Sequence, residues 1–132
     1  MRVLALDHGN ARCGAAVSDP TGTLATPLEA IERPGTRRGM QRIATLVRVQ
    51  EAERVLIGLP LSLSGGDSAQ TREAREFARR LGEVLGDEVP VELYDERFTT
   101  RLAQRTGGAA SEDSRAAAVL LSDWLDTRGA AA

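Results

Sequence analysis

The chain reads as one α/β domain, a mixed five-stranded sheet with helices on both faces. Three observations lead there. Up to residue 31, three short apolar segments follow one another across tight turns, a spacing that antiparallel neighbours allow. From Thr36 the apolar period lengthens to that of a helix. The later strand-like segments are each separated by a helix's length of chain, which favours parallel pairing through crossovers.

The first strand is predicted over Arg2 to Asp7, the second over Cys13 to Ser18 and the third over Leu24 to Ile31, interrupted by Pro27. Gly9-Asn10 and Asp19-Pro20-Thr21-Gly22 supply the turns of this meander. Met40, Ile43, Leu46 and Val47 then share one helical face, and Arg54 to Leu59 follows as a buried strand. Asp67 or Ser68 can cap a helix that carries Ala74, Phe77, Ala78, Leu81 and Leu85. A strand from Val89 to Asp95, a short turn or helix after Thr99, a Gly107-Gly108 break and a helix from about Ser111 to Asp126 complete the order. The residues 129–132 are expected to be a frayed tail.

The 132 residues suit a single domain spanning 1–132, and 42% hydrophobic against 27% charged residues is enough to build a core. The formal net charge of −2 gives no overall basic signal, although all 17 cationic residues are Arg. Arginine is the better phosphate fork, but an Arg-for-Lys bias beside abundant Ala and Gly is also what a GC-rich genome produces. A nucleic-acid partner therefore needs a local basic patch. Cys13, the single cysteine, excludes a disulfide framework and a cysteine zinc site and suits a reducing cytoplasm. No segment is apolar enough for a signal peptide or a membrane span, so no membrane partner is expected.

In open α/β sheets, ligand sites gather beyond the carboxyl ends of strands. Asp7 ends the first predicted strand and Asp95-Glu96 the last, so two distant segments deliver carboxylates to the same kind of edge. A hard cation such as Mg²⁺ or Mn²⁺ takes such oxygen ligands. Asp113 falls at the centre of the helical stripe of Ala116, Ala117, Leu120 and Trp124, where a buried carboxylate demands a partner. Each has a plainer role too. Asp7 can make an Asx turn, Asp95-Glu96-Arg97 can be a surface ion-pair cluster, and Asp113 suits the first turn of a helix.

The residues Asp7-His8-Gly9-Asn10-Ala11-Arg12-Cys13-Gly14-Ala15-Ala16-Val17-Ser18-Asp19 resemble the first motif of the YqgF/RuvX family, pre-16S rRNA nucleases formerly described as Holliday junction resolvases. Ile57-Gly58-Leu59-Pro60-Leu61 with Gly65-Gly66 resembles its second motif, Asp95-Glu96-Arg97-Phe98-Thr99-Thr100 its third, and Asp113 with Ala116-Ala117 its fourth. The resemblance implies an RNase H-like fold of the resolvase type and phosphodiester hydrolysis assisted by Mg²⁺ or Mn²⁺. It implies an acidic centre of Asp7, Asp95, Glu96 and Asp113, supported by Arg97, Thr99 and Thr100. Asp95 and Glu96 alternate across the strand, so only one of them should face Asp7. Two cations about 4 Å apart would activate water and stabilise the leaving 3′ oxygen.

Arg12 and Arg97 read equally as phosphate contacts and as counter-charges. Arg37 and Arg38, with Arg33 and Arg42, form the better candidate for a phosphate-tracking patch, whereas Arg72, Arg75, Arg79 and Arg80 alternate with Glu and look like a solvated face. His8 reads as an exposed turn residue rather than a proton shuttle. The segment from Thr100 to Asp113 is shorter and less basic than is common in the family. The implied partner is nucleic acid, precursor rRNA before DNA, bound by a monomer or weak homodimer. A junction-resolving DNA nuclease and a non-catalytic rRNA-binding assembly factor are the alternatives. An actin-like phosphotransferase shares the Asp7-His8-Gly9 turn but needs a second domain.

Overall fold

Alternation of apolar residues builds a sheet whose two faces are both covered. The computed structural model describes residues 1–60, 68–96 and 111–131, with side chains as far as 128. The elements run β1 (Val3–Asp7), β2 (Arg12–Ser18), β3 (Ala25–Glu32), α1 (Arg37–Val49), β4 (Arg54–Leu59), α2 (Ala69–Leu85), β5 (Val91–Asp95) and α3 (Glu112–Ala131). Strand order is β3-β2-β1-β4-β5. β1, β2 and β3 pair antiparallel as a meander, while β4 pairs parallel with both β1 and β5. Pro27 is tolerated because β3 is an edge strand.

Residue parity assigns the faces. Leu4, Leu6, Cys13, Ala15, Val55, Ile57 and Leu93 point to the side packed by Met40, Ile43 and Val47 of α1 and Phe77, Ala78 and Leu81 of α2. Val3, Ala5, Ala16, Leu56 and Tyr94 point to the side packed by Ala117, Leu120, Leu121 and Trp124 of α3. Thr36 caps α1 by accepting from the Gly39 N–H at 3.0 Å. Ser68 caps α2 in a reciprocal box with Thr71. The buried Thr71 hydroxyl donates to the Pro60 carbonyl at 2.6 Å, tying the start of α2 to the end of β4.

Two expectations are corrected. α3 does not stop near Asp126; it is helical to Ala131. Alanine is the best helix former, and Arg128 complements the carboxyl end of the helix dipole. β5 starts at Val91 instead of Val89. The other described boundaries fall within two residues of those predicted, while the element after Thr99 and the Gly107-Gly108 break lie outside the described residues.

The first turn of α3 is held unusually close to the sheet. A Cβ on Gly14 would lie 2.0 Å from the Asp113 carbonyl oxygen, so only glycine admits the contact. The β2–β3 register shifts between Cys13 and Ala15, and the Ala15 N–H donates instead to the fully buried Ser114 hydroxyl at 3.1 Å. Removing that acceptor leaves a buried amide unsatisfied, at about 1–3 kcal/mol. Ser114→Ala should therefore lower the unfolding free energy by that amount in a urea titration; an unchanged midpoint would show that the amide finds another partner.

Candidate active site

Parallel pairing carries the carboxyl ends of β1, β4 and β5 to one edge of the sheet. Asp7 shares the parity of Val3 and Ala5, and Glu96 that of Tyr94, so both belong to the face covered by α3. Gly58 lies between them, since Leu6 pairs with Ile57 and Gly58 pairs with Tyr94. A Cβ on Gly58 would sit 2.3 Å from Glu96 Oε1 and 2.9 Å from its Cγ. The bare strand thus lets Glu96 reach across β4 and hydrogen-bond Asp7.

Burial dominates the electrostatics of this pair. It pushes the Glu96 carboxyl up from 4.5 to about 8, helped by the hydrogen bond to Asp7 and the charges of Asp7 and Asp95. Asp7 is also raised, first by burial and then by the charge of Asp113, against a lowering by the Glu96 hydrogen bond. Glu96 is the member of the pair pushed to about 8, so near neutral pH the proton of the pair rests on Glu96, hydrogen-bonded to Asp7. Between the two residues at the end of β5, Glu96 is the one that faces Asp7. Asp95 has the opposite parity and acts on Glu96 through its charge.

Asp113 is not at the centre of the buried stripe. Ser114 takes that place, because the helix is turned to offer its hydroxyl to Ala15. Asp113 stands at the rim, its side chain 43% exposed, with Arg12 Nε 3.7 Å from its carboxylate. Arg12 is thus placed as a counter-charge. Among the described residues no three His, Cys, Asp or Glu side chains converge as a ready-made metal cage, so the expected four-carboxylate centre is here a contacting pair with two flanking charges. The pair still fits a hard cation, since Mg²⁺ takes one or two carboxylates and keeps several waters.

A cavity of about 230 Å³ adjoins the pair, lined by Asp7, His8, Gly9, Asn10, Pro60, Gln70, Glu73 and Glu96. His8 is not the exposed turn residue expected. It is half-buried, its ring lies 4.6 Å from that of Phe77 at 33°, and burial lowers its pKa against a raising by Glu73. Arg37 and Arg38 are exposed in the first turn of α1, which holds no acidic residue; cations there oppose the helix dipole. Arg97, Thr99 and Thr100 lie outside the described residues. That Gly58 makes room for Glu96, and that His8 pairs with Phe77, was not read from the sequence. A glycine inside an otherwise apolar strand was the available signal for the first, whereas nothing in the sequence links residue 8 to residue 77.

The model of the RuvX family, described as Holliday junction resolvase, matches residues 1–127. Relatives named pre-16S rRNA nuclease include one from Mycobacteroides abscessus, 42% identical over 96% of this chain and 82% of its own. One from Thermobifida fusca is 45% identical over 94% and 86%, and one from an Anaeromyxobacter species is 40% identical over 98% and 100%. Among solved structures, Thermus thermophilus RuvC in complex with a Holliday junction substrate superposes with a TM-score of 0.65 at 16% identity, covering 98% of this chain and 96% of that one. The fowlpox virus resolvase bound to junction DNA gives 0.56 at 8% identity, covering 97% and 99%. These likenesses establish the fold as RNase H-like, as the sequence predicts.

The proton on Glu96 has a stability signature. Because Glu96 titrates near pH 8 when folded and near 4.5 when unfolded, its contribution is fully present below pH 4.5 and is lost as pH rises through 8. With chelator present, Glu96→Gln should melt above wild type at pH 9 by at least about 4 °C, the shift of about 1 kcal/mol in a chain of this size. The gap should close toward pH 4; equal melting at pH 9 would contradict the proton held on Glu96. Gly58→Ala should keep the fold yet displace the Glu96 carboxyl, flattening the same pH profile, whereas a wild-type profile in that variant would show that Glu96 does not need the bare strand.

Proposed function

The chain belongs to the RuvX family, and from that premise we propose that it is a divalent-metal-dependent nuclease that processes the 5′ end of precursor 16S rRNA in the cytoplasm. The contact of Asp7 with Glu96 carries this reading. Two carboxyls pressed together at a half-buried strand end are poorly placed as a structural device. They suit a site that exchanges its proton for a cation. Asp7 and Glu96 would hold Mg²⁺ or Mn²⁺, with Asp95 and Asp113 adding negative charge around them. When bound, the ion supplies an activated water and stabilises the leaving 3′ oxygen.

The chain's own groups do the rest. Asp7 is fixed at the end of the central strand β1, and Glu96 lies against the bare backbone of Gly58. Glu96 would give up its proton on holding a cation, so both carboxylates would set the charge of the loaded site. Arg12, beside Asp113 at the rim, keeps the acidic edge from repelling a phosphate outright. RNA is favoured over junction DNA because the relatives that share about 40% identity are named for pre-16S rRNA, whereas the junction-bound structures share the fold.

Purified protein with Mn²⁺ should shorten a precursor 16S 5′ extension in preference to a four-way junction, and Asp7→Asn should reduce cutting about a thousandfold or more. Equal cleavage by that variant would sink the metal site, and binding without cutting by wild type would favour the non-catalytic assembly factor. Because Glu96 must lose a proton, the calorimetric affinity for Mn²⁺ should rise by up to about tenfold per pH unit until it levels off near pH 8. A pH-independent affinity between 6 and 8 would count against Glu96 as a ligand.

A further inference from the structure

We propose that the groove between the β1–β2 turn and α2 is a track for single-stranded nucleic acid, with an unstacked base laid on His8 and the backbone held by Arg72 and Arg80. The inference rests on the nuclease reading only for what lies at the end of the track. A cavity of about 520 Å³ runs along α2, lined among others by Gly35, Arg72, Phe77 and Arg80. It shares His8, Asn10 and Glu73 with the smaller cavity at the acidic pair. A strand lying in the larger cavity is thus delivered to Asp7 and Glu96. The volume suits a nucleotide-sized ligand.

The floor is the His8 ring, kept in place by its contact with Phe77, which is itself in the core. An aromatic ring set in a groove takes the face of any base, but only a base already out of a duplex stack offers that face. Arg72 and Arg80 are eight residues apart on α2, about 12 Å along the axis, a spacing that lets them hold successive phosphates of a strand. Neither makes an ion pair among the described residues. Glu76 in the same wall is hydrogen-bonded by Arg79, at 2.5 Å and 3.0 Å, and feels the charge of Arg80 more weakly, so Arg72 and Arg80 face the groove without a hydrogen-bonded carboxylate among the described residues. Arg80 also reaches to within 3.9 Å of the Cβ position of Gly35, so this wall meets the loop that leads into Arg37 and Arg38. Two arginine groups separated in sequence become one basic margin.

The test measures fluorescence anisotropy of the full chain carrying Asp7→Asn, in chelator, with labelled 12-nucleotide RNA and DNA strands, a blunt duplex of the same sequence and a four-way junction. Single strands of either sugar should bind at least about tenfold tighter than duplex or junction. Arg72→Ala with Arg80→Ala should weaken single-strand binding and lower the slope of log affinity against log salt by about 1.4, at about 0.7 per phosphate. His8→Ala should cost about fivefold or more, and His8→Phe should restore it, while Arg48→Ala at the other end of α1 should change neither affinity nor slope. Duplex binding as tight as single-strand binding, or an unchanged slope in the double variant with its melting temperature intact, would overturn the track. Cleavage by the chain with native Asp7, with Mn²⁺ on the same strands, keeps the two claims apart. Groove-dependent binding without cutting rejects only the nuclease, and cutting unaffected by the arginine changes rejects only the track.

Discussion

β1 and β4 lie side by side and parallel at the centre of the sheet, and the position of every acidic group is referred to that pairing. It brings the carboxyl end of β1 level with that of β4 and, one strand further, with that of β5. Had β4 run the other way, Asp7 and Glu96 would stand at opposite ends of the molecule. The pairing in turn requires crossovers on one face, where α1 and α2 lie, and leaves the other face to α3 alone. The site sits at the strand ends, where the cavity beside Asp7 and Glu96 is bordered by Gln70 and Glu73 of α2.

Two glycines set how tightly this edge can be drawn together. Gly14 lets the backbone of Asp113 touch β2, and Gly58 lets the Glu96 side chain lie across β4. The first is a contact of main chain with main chain and belongs to the stability of the fold. The second is a contact with a side chain that could move aside, so its value lies in where it places a carboxyl. Burial of that carboxyl costs stability once it ionises, and a protein selected for stability alone would not keep it there.

Periodicity and turn residues made the strands, the helices and the order of the sheet legible, because each element carries its pattern locally. Asp7 and the end of β5 were legible as well, since the strand-end rule needs only the element order. The choice between Asp95 and Glu96 was not, because parity says that one faces Asp7 but not which until the register of β5 against β4 is known. Asp113 was set at the centre of the helical stripe by the spacing of its apolar neighbours. The helix is instead rotated to place Ser114 inward, a demand imposed by the Ala15 amide on a different element. The basic stripe of α2 read as a solvated face, and Arg79 is indeed exposed in ion pairs with Glu76 and Glu83; that Arg72 and Arg80 also border a cavity with His8 emerges only on folding.

At the other end of the sheet, Trp124 packs near the start of β1, its indole N–H donating to Glu92 at 2.7 Å and its ring covered by the Arg128 guanidinium at 4.8 Å from the centroid. It is the sole tryptophan of the chain and 5% exposed. Its emission is therefore a private optical reporter of whether α3 is seated on the sheet. A strand or ion entering beyond Asp7 approaches from the far end of β1, and among the described residues the fluorophore's partners, Glu92 and Arg128, lie at the other end. Intrinsic fluorescence consequently separates a molecule that has opened from one that has merely been loaded.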